Sequence, residues 1–146
     1  MDFKKTIMKF ILLTLLAFCG VAANCQTALP IQPAYRAFVK SNGLLFVSGQ
    51  IAPSENDVNA IPFSTEAESA LKKIVEILKV NNLSASEVVS CTVYLTDIKY
   101  FGEFNTIYRK YFKSPYPSRT LVAVQQLVRQ ARIEISVIAS LKKNEN

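Results

Sequence analysis

The sequence predicts an α+β domain, β-β-α-β-α-β-β, with a mixed sheet and two helices packed on one of its faces. Three observations carry that prediction. Asn42-Gly43 lies between two short apolar runs, a strong hairpin signal. Ala67, Ala70, Leu71, Ile74 and Leu78 recur at three- and four-residue steps, one apolar face of a helix. Ile133, Ile135, Val137, Ala139 and Leu141 alternate with Arg132, Glu134, Ser136 and Ile138, as in a strand buried on one side only.

The elements follow in order. Residues 35–40 (YRAFVK) and 44–48 (LLFVS) form the hairpin strands, and the second ends at Gly49-Gln50. Residues 51–63 read as a loop containing Pro53 and Pro62. Thr65 with Glu68 three residues later fits a capping box for the first helix, which Asn81-Asn82 end. Residues 84–87 are a turn, and residues 88–96 (VVSCTVYLT) are rich in β-branched and aromatic side chains and read as a strand. Asp97 is placed to cap a second helix over residues 99–112, with Phe101, Phe104, Ile107, Tyr108, Tyr111 and Phe112 on its buried side. Ser114-Pro115-Tyr116-Pro117-Ser118 cannot be helical and makes a rigid link. Residues 119–124 (RTLVAV) and 132–141 are the last two strands. With the helices over one face, the other is a mixed polar face suited to another subunit or a ligand.

The 146 residues divide into a leader over 1–23, an extended lead-in over 24–34 carrying Pro30 and Pro33, and a domain over 35–142. Lys4, Lys5 and Lys9 precede the apolar run 11–18, and Val21-Ala22-Ala23 offers small residues for cleavage before Asn24, the pattern of a secretory signal peptide. The expectation is an exported chain, periplasmic or secreted, with no membrane contact after cleavage. Cys19 and Cys25 are poor matches to a lipid-attachment motif, so lipid anchoring is the lesser alternative. Losing Lys4, Lys5, Lys9 and Asp2 takes the formal charge from +6 to +4. The remaining positive charges are dispersed, with Lys72-Lys73, Arg109-Lys110 and Lys142-Lys143 the only adjacent pairs, so a nucleic-acid partner is not expected.

The chain contains no histidine, which excludes Ser-His-Asp and Cys-His catalysis and His-ligated metals. The four glycines are too scattered for a nucleotide-binding loop. Arg119, directly after the Pro-rich link, is either an anchor for an anionic small molecule or an ordinary ion-paired surface residue. Glu134 interrupts an apolar strand, as a base or water-positioning group or as a solvated or ion-paired position. Tyr35 lines a pocket or packs in the core, and Asn105 hydrogen-bonds a loop or ligand or is a surface position. Cys91 reads as a buried, inert thiol.

Several segments resemble one family when taken together. Phe46-Val47-Ser48-Gly49-Gln50-Ile51 is similar to its F-x-S-G-Q-I segment. Residues 92–97 (TVYLTD), then Phe104-Asn105 and residues 108–112 (YRKYF), resemble its T-V-x-L-x-D…F-N-x-x-Y-x-x-x-F run. Pro117-Ser118-Arg119-Thr120 resembles P-A-R-[ST], and Ile133-Glu134-Ile135 with Val137-Ile138-Ala139 resembles the I-E-I-E-x-I-A ending. These are hallmarks of the RidA (YjgF) family of enamine/imine deaminases, over residues 33–141. The resemblance implies a chorismate-mutase-like fold and a homotrimer with sites between subunits. It also implies hydrolysis of 2-imino acids to 2-keto acids and ammonia, without cofactor or metal. Arg119 matches the family's substrate-carboxylate arginine and Glu134 its water-positioning glutamate. Tyr35, Asn105 and Gly49 match other pocket positions, and Thr120 is placed to assist. The chain departs from the family pattern at Pro33-Ala34-Tyr35-Arg36 and at Leu121 and Ala123, which implies an altered substrate range. The alternative to an imino-acid deaminase is a non-catalytic exported trimer that binds small carboxylates or partner proteins.

Overall fold

The computed structural model describes residues 34–52 and 61–142. The expected leader and most of the lead-in lie outside the described residues, as do Cys19 and Cys25. Strands β1 (Phe38–Ser41) and β2 (Leu44–Gln50) form the hairpin. Asn42 and Gly43 both take positive φ, 49° and 75°, the backbone of a type I′ turn that matches strand twist. Helix α1 (Phe63–Val80) leads to β3 (Val88–Leu95), α2 (Phe101–Tyr111) to β4 (Ser118–Ala123), and β5 (Ile133–Ser140) closes the sheet.

The five strands lie in the order β1-β2-β5-β3-β4, with β3 and β4 parallel and every other pair antiparallel. β2 is therefore parallel to β3 across β5, so β2-α1-β3 and β3-α2-β4 are both crossover units. Both step across the sheet in the same direction. Parallel crossovers are right-handed, so two that step the same way put their helices on the same face. Among the described residues no helix covers the other face.

Sequence alternation and burial agree on which side is which. Leu45, Val47, Cys91, Val93, Leu95, Ile133, Ile135, Val137 and Ala139 are buried beneath the helices. The α1 stripe Ala67, Ala70, Leu71, Ile74 and Leu78 is buried as its spacing predicts. From α2, Phe104, Ile107 and Tyr108 are buried, followed by Phe112 just past its end. Phe101 was expected on that side but is 43% exposed. It lies on the stripe of Phe104 and Tyr108 but is the first residue of α2, one turn before Phe104, at the open end of the helix.

Local capping differs from the expectation at both helices. α1 begins at Phe63 behind Pro62, with no side-chain cap, so Thr65 and Glu68 are already inside the helix. Glu68 pairs instead with Lys110 of α2 at 2.8 Å. Asp97 accepts from the Lys99 amide at 2.9 Å and caps a short 3-10 turn, Ile98–Tyr100, that precedes α2. The capping box that does form is at Ser84 and Glu87, in the turn before β3.

Arg132, expected on the open face, instead reaches the helix layer. Glu66 of α1 is fully buried, and its two oxygens accept from the Arg132 amide at 2.7 Å and Nε at 2.6 Å. Arg132 Nη2 donates to the Ile61 carbonyl at 2.7 Å. The Arg132 guanidinium lies 6.0 and 5.8 Å from the rings of Phe63 and Tyr100, which stack on each other at 4.2 Å. One ion pair thus joins the start of α1, the turn before α2 and the start of β5. Glu66→Ala, which strands the Arg132 charge, is expected to cost about 3–5 kcal/mol in urea unfolding. A cost under about 1 kcal/mol, the value of a surface pair, would show that the pair does not hold these elements.

Candidate functional site

Arg119 sits at the start of edge strand β4, level with Cys91 of β3. Ladder partners share a face, so Arg119 is on the helix side of the sheet. Its guanidinium lies 4.7 Å from the centre of the Tyr108 ring and 5.9 Å from that of Phe104, both on α2. Tyr108 in turn stacks on Phe112 at 4.5 Å and leans on Tyr116 at 6.5 Å. The cation therefore rests over an aromatic platform, an attraction to the rings that uses none of its N–H donors.

A cleft of about 290 Å³ opens at this point, lined by Asn105, Tyr108, Arg109, Tyr116, Pro117 and Arg119. Asn105, Tyr108 and Arg109 are three and four residues apart, one stripe of α2. Tyr116 and Pro117 come from the link before β4, which follows a cis Ser114–Pro115 bond. The structure thus brings together Arg119 and Asn105 of the sequence-derived candidates. Tyr108, Arg109 and Tyr116 were not singled out as site residues. The four-residue step from Asn105 to Arg109 was the available signal.

Glu134 sits elsewhere. It is level with Tyr94 of β3, one residue out of phase with the buried Ile133 and Ile135, and so faces the open side. Gly49 of β2 lies directly beneath it. A Cβ added at Gly49 would collide with Glu134 Oε1 and come within 2.7 Å of Cδ. Glycine is required here by space: the bare backbone lets the Glu134 side chain lie across β2 where the register slips between Val47 and Gln50. Tyr35 is 68% exposed. Ser48 N donates to Ala37 O at 3.0 Å and Ser48 Oγ to Arg36 O at 2.6 Å, so the chain before β1 continues alongside β2 toward Gly49 and Gln50. Tyr35 therefore lies at the Gly49–Glu134 end of the sheet, in a shallow groove with Arg36. Thr120 is level with Thr92 and, by strand alternation, is turned to the open face, away from Arg119.

The candidates thus fall into two groups, Arg119 with Asn105 on the helix side and Glu134 with Gly49 and Tyr35 at the open side. At about 3.3 Å per residue and 4.8 Å per strand, the Arg119 and Glu134 Cα atoms are about 14 Å apart, with side chains on opposite faces. Among the described residues neither makes an ion pair. Cys91 is buried, and burial pushes its thiol up from 9.0 to about 12. The Tyr108 phenol beside it is likewise raised by burial, and among the described residues its hydroxyl has no hydrogen-bond partner. Neither is a nucleophile at neutral pH.

A family model described as Endoribonuclease L-PSP matches residues 25–141. The human protein named 2-iminobutanoate/2-iminopropanoate deaminase is 38% identical over 107 residues, 72% of this chain and 78% of that one. A solved structure from Thermotoga maritima superposes with a TM-score of 0.69 at 35% identity, covering 77% of this chain and 90% of that one. RidA from an Antarctic Psychrobacter superposes with a TM-score of 0.65 at 26% identity, covering 73% and 88%.

Two outcomes are expected from this geometry. Gly49→Ala overpacks the Glu134 side chain and is expected to cost about 1–3 kcal/mol by urea unfolding. In a Glu134→Ala background most of that cost should vanish, and an equal cost in both backgrounds would place the obstruction elsewhere. The Cys91 thiol stays protonated in the folded chain between pH 9 and about 12, where the unfolded chain has released the proton. Stability should therefore fall as pH rises through that window. The urea midpoint of Cys91→Ala should fall less steeply there, and identical slopes would refute the buried-thiol account.

Proposed function

The chain belongs to the RidA/YjgF (endoribonuclease L-PSP) family, and from that premise we propose that it hydrolyses reactive 2-imino acids, of the 2-iminopropanoate and 2-iminobutanoate type, to 2-keto acids and ammonia. The observation that carries this reading is the placement, on opposite faces of one chain, of two complementary groups that make no ion pair among the described residues. Arg119 has a carboxylate-binding guanidinium at an edge cleft. Glu134 has a carboxylate on the open face, with Gly49 clearing space for it. A single copy cannot bring them to one substrate. Two copies can, if the Glu134 half-site of one meets the Arg119 half-site of the next, and a closed ring of three repeats that contact. The open face offers a surface for it, with Phe46 and Val122 about 40% exposed beside Thr92, Tyr94 and Ser136.

The chemistry needs little more. Arg119 binds the substrate carboxylate in bidentate fashion, and Asn105 is within the same cleft to hold polar atoms of the substrate. The protonated imine carbon is already electrophilic. Glu134 of the neighbouring copy orients a water and accepts its proton as oxygen adds to C2. The resulting carbinolamine takes that proton on nitrogen, its C–N bond breaks to release ammonia as the carbonyl forms, and Glu134 accepts the hydroxyl proton and passes it to the departing ammonia, which leaves as ammonium. Water and imine are consumed and keto acid and ammonium released, with no redox change. Orientation and electrostatics suffice for a substrate this reactive.

The test is complementation. Arg119→Ala and Glu134→Ala should each lower kcat/KM for 2-iminopropanoate by about 100-fold or more, the scale for loss of one well-placed polar group. Co-refolding the two variants in equal amounts should restore about a quarter of wild-type activity, the fraction of interfaces where random mixing pairs an intact arginine with an intact glutamate. No recovery from mixed oligomers would overturn the shared site. Carboxylate binding without any imine turnover by the wild-type chain would overturn the deaminase reading in favour of a binding protein.

A further inference from the structure

The cleft contains a second cation that the proposed reaction leaves unused. Arg109 lines it together with Arg119, and among the described residues no carboxylate lines it. Its neighbour Lys110 is neutralised by Glu68 at 2.8 Å, and Lys113 donates to the Arg109 carbonyl, but the Arg109 guanidinium makes no ion pair among the described residues. Arg109 is one turn beyond Asn105 on the same stripe of α2, so both residues line the cleft from one helix face. Two arginines without an ion pair among the described residues line one small cleft, and an anion bound there would offset their like charge.

Resting on the deaminase reading, we propose that the preferred substrates are dicarboxylic 2-imino acids and that Arg109 selects the second carboxylate. The formal charges balance for this class. Arg119, Arg109 and the neighbouring copy's Glu134 sum to one positive charge. A monocarboxylic imino acid, protonated on nitrogen, is net neutral and leaves that charge unmatched. A second carboxylate cancels it. The volume agrees: about 290 Å³ holds about ten water-sized groups, more than the smallest 2-imino acid fills.

The experiment compares 2-iminoglutarate with 2-iminobutanoate, each generated in situ from its amino acid by a flavin amino-acid oxidase with catalase, and each followed by semicarbazide trapping. The full wild-type chain is expected to favour 2-iminoglutarate in kcat/KM by about tenfold, the scale of one charge-assisted pair. Arg109→Gln should erase that ratio, and Arg109→Lys should retain part of it. Equal kcat/KM for the two imines in the wild type, or an unchanged ratio in Arg109→Gln, would overturn the proposal. If neither imine is hydrolysed, the deaminase reading has failed, and calorimetric binding of 2-oxoglutarate against 2-oxobutanoate decides this one. Tighter binding of 2-oxoglutarate that is lost in Arg109→Gln upholds the selection, and equal affinities refute it.

Discussion

Glu66 has no exposed surface, and a carboxylate so placed is stable only if its charge and both oxygens are satisfied. Arg132 does this, giving its backbone amide to one oxygen and Nε to the other. It then spends Nη2 on the Ile61 carbonyl and its flat face on Phe63 and Tyr100. Such a pair adds little net stability over apolar packing, but breaking it leaves a buried charge, so it excludes alternatives. What it excludes here is a shift of β5. Arg132 is the residue before the strand, and its carbonyl also accepts from Thr96 N at 3.0 Å. With that residue fixed, Ile133 points to the core and Glu134 to the open face. A slip of one residue would exchange them.

The half-site geometry follows from that register together with the handedness of the crossovers. Both helices fall on one face because both crossovers run the same way. Parity then decides the rest. Arg119 shares the phase of Cys91 and Glu134 the phase of Tyr94, so the two cannot converge within one chain. A fold covered on both faces would have buried Glu134. Among the described residues this one leaves it uncovered, on the surface where the proposed second copy of the chain would bring its arginine cleft. The proposed oligomer is thus tied to the proposed chemistry by strand register as well as by family resemblance.

Much of this was legible from the residues. Asn42-Gly43 marked the hairpin, the α1 stripe marked its buried face, and alternation in β5 marked both the core and the mixed surface. The errors were local rules overruled by tertiary contacts. Thr65 and Glu68 have the spacing of a capping box, but Glu66 needs to lie inside the first turns of α1 to meet Arg132, and the helix starts earlier. Glu66 falls at the helical step from Phe63 to Ala70, so a carboxylate on the buried stripe was visible as an anomaly. Its partner lies 66 residues away and was not. The cleft was half legible for the same reason. Asn105 and Arg119 were singled out separately, whereas Tyr108 and Arg109 belong to the cleft only because the crossover brings α2 over β4.

The aromatic platform explains how Arg119 can remain without a carboxylate. An arginine needed for substrate gains nothing from a permanent protein carboxylate, which would compete for the same donors. Left bare, it would wander among rotamers and lose orientation. Tyr108 and Phe104 offer a third option, an attraction through the face of the guanidinium that leaves its donor edge available. The buried Tyr108 hydroxyl, without a hydrogen-bond partner among the described residues, is the cost of that arrangement. The ring must be deep enough to stack on Phe112 and hold still, and its hydroxyl then ends beside the inert Cys91 thiol and away from water. A phenylalanine would avoid the cost, but Tyr108 also approaches Tyr116 on the link, so one side chain couples the platform under Arg119 to the wall of the cleft.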